Sequence, residues 1–275
     1  MDNNTGIPDV STDDVEHLAG APELLVALDF DGTLAEFNTS PMEVGMVPGA
    51  RESIDRLAGC PGTTVMLVSG RNLDMLQPVA GIDAVSDPGP DDVRLVGSHG
   101  AEPADTSLGA SGELTEEQRV LLETLGELAE SFATRDPGLS VEYKPFAVGL
   151  HIRGAQDRQT GEQTYADFAE AADELDGTTV TAGKDIVEVA VSSASKGGYL
   201  KAYAEQYPQD AVLFIGDDVT DETAQAVLNQ GDAYTARPDV GVRVGDGETL
   251  AHRRVADPTA VAAFLTELSE ARARR

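Results

Sequence analysis

Four short apolar runs punctuate the chain: ELLVALDF at 23–30, TTVMLVS at 63–69, VRLVG at 93–97 and AVLFIGD at 211–217. Each is rich in apolar and β-branched residues and closes on Gly, Ser or Asp, the pattern of strands buried on both faces. GARESIDRLAG (49–59) and DETAQAVLNQG (221–231) carry apolar residues at helical spacing between such runs. Continuous apolar strands alternating with helices predict an α/β core of three layers around a parallel sheet. Sheets of this kind bind ligands beyond the carboxyl ends of their strands.

The middle of the chain follows a different pattern. LTEEQRVLLETLGELAESFATR (114–135) reads as an amphipathic helix with Leu114, Leu121, Leu125 and Leu128 facing a core, starting at Thr115 or Ser111. LSVEYKP and AVGLHIR then predict an antiparallel pair, followed by a helix over about 160–175 and a second pair, GTTVTAG and DIVEVAV. The repeated helix-strand-strand order predicts an inserted α+β domain over 101–190, an open sheet with two helices on one face. The core is then 21–100 together with 191–275, preceded by an acidic segment, 1–20, expected to be disordered.

At 275 residues there is material for a core and a second domain without staples. The one cysteine, Cys60, lies in a Gly-Cys-Pro-Gly loop with no activating base nearby, which excludes a disulfide framework and argues against a catalytic thiol. The N-terminus is acidic and lacks a basic stretch followed by an apolar core, and nowhere do 18 apolar residues run together. The expectation is a cytoplasmic protein. Charge sharpens this picture: 49 acids against 19 bases give a net charge of -30, and only four of the bases are lysine. Such a surface repels nucleic acid and anionic lipid, so neither is expected as a partner. The acids are spread along the whole chain, which predicts adaptation to a salty cytoplasm.

Two acids stand one residue apart where the first run ends, in DFDGTL. On a strand, residues i and i+2 point the same way, so Asp29 and Asp31 project together while Phe30 turns toward the apolar layer. Two carboxylates at a strand end repel unless a cation compensates. The second acidic group, Asp217, Asp218 and Asp221 in GDDVTDE, follows another predicted strand and belongs at the same sheet edge. Oxygen ligands from two strand ends suit Mg2+, and Lys196 in SASKGG supplies a compact positive charge.

DFDGTL, LVSGR (67–71), Ser195–Lys196 and GDDVTDE resemble the four motifs of the haloacid dehalogenase superfamily of phosphatases. The resemblance implies that Asp29 is the nucleophile, Asp31 the general acid and base, Ser69 and Lys196 the phosphate holders, and Asp217 with Asp221 magnesium-site acids. Asp29, Asp31, Asp217, Asp218 and Asp221 are the candidate ligands of the implied Mg2+. A like-charged neighbourhood would raise the pKa of Asp31, which suits an acid that must carry a proton. The second acid of DFDGTL, absent from the dehalogenases themselves, favours phosphate ester hydrolysis.

GSHGAE (97–102), VEYKPFAVGLHIR, GKDIVEV and VGDGETLAHRRVADPTAVAAFL extend the likeness over 24–268 and are similar to the trehalose-6-phosphate phosphatases. That family implies a sugar-recognising cap, which maps onto Glu142, Lys144, His151, Arg153, Lys184 and Glu188, with Arg71, His99 and Glu102 as further substrate contacts. Alternation puts Glu142 with Lys144, and His151 with Arg153, on shared strand faces; all four share one face only if the hairpin loop has an even residue count, such as Phe146–Ala147 alone. Ala190–Val191 stands where family members often carry Arg-Pro. The expected substrate is a small sugar phosphate, trehalose 6-phosphate first, with sucrose phosphate, mannosyl-phosphoglycerate and a non-catalytic binding module as alternatives. A synthase partner is left open by the sequence.

The charge carries a prediction. At about 1 M salt the Debye length is only ~3 Å, so repulsion among surface carboxylates shrinks to near-contact range. Lowering KCl from about 2 M to dilute buffer should weaken substrate binding first and then lower the melting temperature. Identical melting and turnover in both buffers would make the charge excess incidental.

Overall fold

The protein is described by a computed structural model covering residues 6–38, 40–106, 108, 114–183, 185–229 and 239–275. Its elements run α1 (Thr12–Gly20), β1 (Leu24–Leu28), α2 (Ala50–Ala58), β2 (Thr63–Val68), α3 (Leu73–Ala80), β3 (Arg94–Gly97) and β4 (Glu102–Pro103). Next come α4 (Glu116–Ala133), β5 (Ser140–Tyr143), β6 (Ala147–His151), α5 (Arg158–Asp173), β7 (Thr179–Gly183) and β8 (Ile186–Ala190). The chain closes with α6 (Lys196–Gln206), β9 (Ala211–Gly216), α7 (Glu222–Asn229), β10 (Val240–Val244), β11 (Arg253–Val255) and α8 (Pro258–Ala273). Two compact units result, one of Met1–Ser111 with Ala194–Arg275, the other of Gly112–Ser193.

The first unit is built on a seven-stranded sheet of order β11-β10-β9-β1-β2-β3-β4, parallel except for β4. All five residues of β1 are buried because both its faces are covered. Leu24, Val26 and Leu28 meet Val15 and Leu18 of α1, Ile54 and Leu57 of α2 and Leu265 and Leu268 of α8. Leu25 and Ala27 meet Tyr199, Leu200 and Tyr203 of α6 and Ala224 and Leu228 of α7. Full burial of each leucine contributes roughly 1.5–3 kcal/mol. β1 pairs in step with β2 and β9, Leu28 lying opposite Leu67 and Ile215. Asp29, Ser69 and Asp217 therefore leave three adjacent strands at one edge.

The second unit is an antiparallel sheet of order β5-β6-β8-β7. Val148, Leu150, Val187 and Val189 pack against Leu125 and Ala129 of α4 and Phe168 and Ala172 of α5. Thr115 is the N-cap of α4, its side chain accepting from Gln118 in a reciprocal capping box; Ser111, the alternative start, lies outside the described residues. Leu114, Leu121 and Leu128 pack at the margin of this core and Leu125 at its centre.

Two sequence expectations are corrected. The acidic segment thought to be disordered contains α1, which starts with a Ser11–Asp14 capping box and buries Val15 and Leu18. Asp14 also pairs with Arg253 at 2.8 Å. The insertion, expected from residue 101, forms a compact unit over Gly112–Ser193, because Glu102 and Pro103 extend the core sheet by pairing with Gly97 and Val96. Among the described residues no helix is long and apolar enough to cross a membrane.

One buried cation ties the core together. The Arg272 guanidinium donates to the carbonyls of Ala19, Ala21, Pro22, Pro61 and Gly62 and to the Thr63 hydroxyl. It joins the end of α8 to the segments leading into β1 and β2. Burial lowers its pKa, yet it serves all five carbonyls at once, sharing that of Gly62 with the Leu24 N–H. Arg272→Ala should destabilise the fold by about 3 kcal/mol, since the buried Ala19 and Ala21 carbonyls lose this donor. Urea denaturation in high salt measures this, and an unchanged midpoint would show that water substitutes for the guanidinium.

Candidate active site

The backbone after β1 is set by close quarters. The Asp29 N–H donates to the Ile215 carbonyl at 2.9 Å, and the chain then turns through Leu34 N–H to Phe30 O (2.9 Å) and Gly32 N–H to Ala35 O (2.8 Å). Gly32 has a φ of +75°, and a Cβ there would lie 2.2 Å from the Asp217 carboxylate. Only glycine meets both demands. Phe30 turns into the apolar layer, as the sequence predicts.

After β9 the chain makes a single 3₁₀ turn over Val219–Asp221. Asp221 is buried, and its Oδ2 accepts the N–H groups of Asp217 (3.0 Å) and Asp218 (2.9 Å). A Cβ on Gly216 would sit 2.3 Å from that carboxylate. Lys196 opens α6, whose N-cap Ser195 accepts from Gly198 at 3.0 Å. The Lys196 side chain is 2% exposed and donates from Nζ to Asp29 Oδ1 at 2.6 Å and Asp221 Oδ1 at 2.7 Å.

The electrostatics follow from burial. Burial raises the Asp29 carboxyl well above the ordinary range; Lys196 opposes this, and Asp221 and Asp217 reinforce it. Burial, with Asp221 and Asp218 nearby, pushes Asp217 up to about 7. Burial pulls the Lys196 pKa down, but Asp29 and Asp221 outweigh that and raise it, so the ammonium stays charged. Three carboxylates around one ammonium remain short of positive charge.

Asp29, Asp217 and Asp221 each offer an oxygen, all within 4.8 Å of one another. Opposite ligands of an octahedral Mg2+ stand about 4.2 Å apart, given bonds of ~2.1 Å, so this donor set fits a hard cation. Asp217 Oδ1 is buried with no hydrogen-bond partner among the described residues, as a ligand oxygen awaiting a metal would be.

The other predicted residues divide. Ser69 is buried, and its Oγ accepts the Arg71 N–H at 3.1 Å. Arg71 does not stand free for substrate: Nε and Nη2 each donate to Asp31 at 2.6 Å, and Nη1 to Pro41 O at 2.7 Å. The neighbour of Asp31 is thus a guanidinium, not the like charge expected. Asp31 lies outside the three-carboxylate cluster, as does Asp218, which caps the 3₁₀ turn through Val219 N–H at 2.6 Å. Glu102 Oε2 accepts from Leu73 N–H and Ser98 Oγ, both at 3.1 Å. His99 lies with its ring over Gly70, and its backbone N–H donates to Ser69 O at 2.9 Å.

In the second unit Glu142 lies opposite Gly149, Ser140 opposite His151, and Gly149 opposite Glu188. Lys144 N–H reaches Ala147 O, leaving Pro145 and Phe146 as an even loop, one residue earlier than the example considered from sequence. Alternation then puts Glu142, Lys144, His151 and Glu188 on the sheet face opposite the helices. His151 Nε2 and Glu142 Oε2 are 2.9 Å apart, and Lys144 pairs with Glu188. The His151 hydrogen bond lowers the Glu142 pKa. Arg153 falls beyond β6 in an exposed turn, and Lys184 lies outside the described residues.

Sequence reading missed Arg243 at the end of β10. Its Nη1 donates to Asp218 O (3.0 Å) and Glu222 (3.3 Å), bracing the acidic loop, and it opposes the rise of the Asp217 pKa. Nothing in VRVGDGE marks this arginine, because its partners lie about twenty residues earlier.

A trehalose-phosphatase family model matches residues 27–259. The chain is 31% identical to a bifunctional trehalose-6-phosphate synthase/phosphatase of Thermoproteus tenax, over 91% of this chain and 32% of that protein. It is 30% identical to a trehalose-phosphate phosphatase of Mycobacterium marinum, over 90% of this chain and 62% of that one. It thus spans about a third and under two thirds of these relatives. The fold matches the C-terminal domain of a Candida albicans trehalose-6-phosphate phosphatase with a TM-score of 0.77 at 22% identity, covering 96% of this chain and 98% of that one. With the family's model matching from the first acidic strand end through the start of the last helix, this chain belongs to the trehalose-phosphatase family.

Proposed function

We propose that the protein hydrolyses trehalose 6-phosphate to trehalose and phosphate, through an aspartyl phosphate on Asp29 and with Mg2+ as cofactor. The observation that carries this reading is the buried Asp29 carboxylate, held through one oxygen by Lys196 beside two further buried or half-buried acids. Mg2+ on Asp29, Asp217 and Asp221 would keep these acids ionised and offset the charge of the phosphate.

Asp29 attacks phosphorus, and the bond from phosphorus to the sugar oxygen breaks. The departing oxygen takes a proton from Asp31. Asp31 then accepts a proton from water as that water attacks the aspartyl phosphate, and cleavage of the phosphorus bond to Asp29 releases phosphate and restores the carboxylate. Lys196 fixes Asp29 and carries positive charge toward the phosphate; the Ser69 hydroxyl has its proton to donate there. Arg71 holds Asp31 in place through both carboxylate oxygens, one of which must leave the guanidinium to carry the proton.

Glu142, Lys144, His151 and Glu188, joined by Arg153 and Lys184 on the family resemblance, recognise the sugar. Paired acids and bases on one sheet face suit a hydroxyl-rich disaccharide, since a site built to hydrogen-bond each hydroxyl rejects ligands that lack them. We extend the reading to a salt-adapted cytoplasm, on the charge of -30, and to a synthase as partner class, on its fusion to the phosphatase in the T. tenax relative. A non-catalytic role has one observation in its favour: the C-terminal domain of a Candida albicans trehalose synthase regulatory protein shares the fold at a TM-score of 0.73. Retention of Asp29, Asp31, Lys196, Asp217 and Asp221 here favours the enzyme.

A phosphate-release panel of trehalose 6-phosphate, sucrose 6-phosphate and mannosyl-3-phosphoglycerate should show preference for the first. Asp29→Asn should abolish turnover of all three without loss of fold, since an amide is a poor nucleophile and a buried charge is relieved. A preference for another sugar phosphate sinks the substrate assignment; wild-type rates in Asp29→Asn sink the covalent mechanism.

Metal binding should depend on pH in a defined direction. The metal-free folded state holds the Asp217 proton up to about pH 7, and a protonated carboxyl is a poor ligand. Mg2+ affinity measured by calorimetry should therefore rise as pH increases through about 7, with proton release on binding. A flat affinity between pH 5.5 and 8, a window set about the Asp217 value of about 7, would remove Asp217 from the site.

A further inference from the structure

Glu102 belongs to no step of the mechanism above, and its position in the fold suggests why it is there. It opens β4 and lies opposite Gly97 at the end of β3. Between the two, Ser98 and His99 hold φ values of +50° and +55°, a left-handed backbone rare outside glycine. Such a backbone persists only where its surroundings over-determine it, and three bonds here do so. Ser98 N–H donates to Arg71 O at 2.8 Å, His99 N–H to Ser69 O at 2.9 Å, and Ser98 Oγ to Glu102 Oε2 at 3.1 Å.

The same Glu102 oxygen accepts the Leu73 N–H at 3.1 Å, at the first turn of α3. A carboxylate is well placed there, at the positive end of a helix. Arg71 is thus gripped on both sides: its carbonyl by Ser98, and the residue two further on by Glu102 itself. Room is scarce at both glycines of this loop. A Cβ on Gly97 would lie 2.8 Å from Arg71 O, and one on Gly100 2.7 Å from Ser195 O, next to Lys196.

We infer that Glu102 is a positioning residue of the phosphatase reaction: it locks the 97–100 loop onto the backbone of Arg71 and so fixes the guanidinium that holds Asp31. This departs from the sugar contact suggested by family resemblance, and it rests on the proposed phosphatase reading. Glu102 touches neither phosphate nor sugar in this role. It acts through Arg71, and a small displacement of a catalytic group is enough to cost about 100-fold in rate.

The test compares trehalose 6-phosphate with para-nitrophenyl phosphate, which has no sugar. Glu102→Ala should lower kcat about 10- to 100-fold on both, with KM within about twofold. Glu102→Gln should recover most of that loss, because one oxygen accepts both bonds and the amide supplies it. In an Arg71→Met background Glu102→Ala should cost less than about twofold, since the residue it acts through is gone. If Glu102→Ala does not fold, Ser98→Ala, which removes one of the two bonds, is read by the same criteria. A raised KM for trehalose 6-phosphate with para-nitrophenyl phosphate unaffected makes Glu102 a sugar ligand and overturns the inference. So does an undiminished rate, or a full loss in the Arg71→Met background. Wild-type turnover of para-nitrophenyl phosphate but not of trehalose 6-phosphate would overturn the substrate assignment alone, leaving the Glu102 comparison intact on the simpler ester.

Discussion

The ammonium of Lys196, buried between Asp29 and Asp221, is the interaction on which the core unit turns. Removing the ammonium would cost about 3–5 kcal/mol, because the carboxylates around it are left buried and uncompensated, whereas losing the Asp29 charge still leaves Lys196 paired with Asp221. Each of the three comes from a different part of the chain: the end of β1, the start of α6 and the turn after β9. Their meeting requires that β1 and β9 pair in register and that α6 and α7 approach closely. Gly197, where a Cβ would lie 2.1 Å from the Thr223 carbonyl, permits that approach. Gly32 and Gly216 likewise lie against the Asp217 and Asp221 carboxylates, where a Cβ would come within 2.2 and 2.3 Å.

One ammonium does not balance three carboxylates, and the surplus negative charge is the physical basis for a cation. The pKa directions agree: burial raises Asp29 and Asp217, whereas Lys196 is raised by its carboxylate neighbours against its own burial. A folded protein that holds a proton on Asp217 near neutrality carries part of the missing charge itself. Arg243 supplies another part at longer range. A cation bound there would therefore compete with the proton for one cluster of oxygens.

Much of this was legible in the sequence, for reasons that differ by element. The core strands and the Asp29–Gly32 turn were readable because apolar runs and motif residues are contiguous. The helix at 116–133 was readable from its periodicity, with Thr115 as one of two candidate starts; the capping box selects it. What stayed hidden depends on partners distant along the chain. The pairing of Arg71 with Asp31 spans 40 residues and reverses the sign of the expected neighbour. Arg243, Arg272 and the role of Glu102 are equally invisible to local pattern. The acidity of helix α1 resembles that of a solvated tail, while its Ser11–Asp14 cap and its buried Val15, Leu18 and Ala19 hold it folded. The cap hairpin needed one integer, the loop length, which sequence alternation cannot supply.

The Arg272 knot has a consequence for the order in which the chain takes shape during synthesis. Its guanidinium binds the Gly62 carbonyl across 210 residues and the Ala19 carbonyl across 253. A chain emerging from the ribosome makes β1 and β2 early but cannot close the corner that joins them until α8 has been translated. The unit over Gly112–Ser193 is continuous in sequence, so its sheet and two helices are complete while the core still lacks β9, β10 and α8. Domains fold as units, and contacts between distant segments are slow to form. The unit begun first is thus the last to have all its strands, and the inserted unit has its whole sequence available before the core sheet can close.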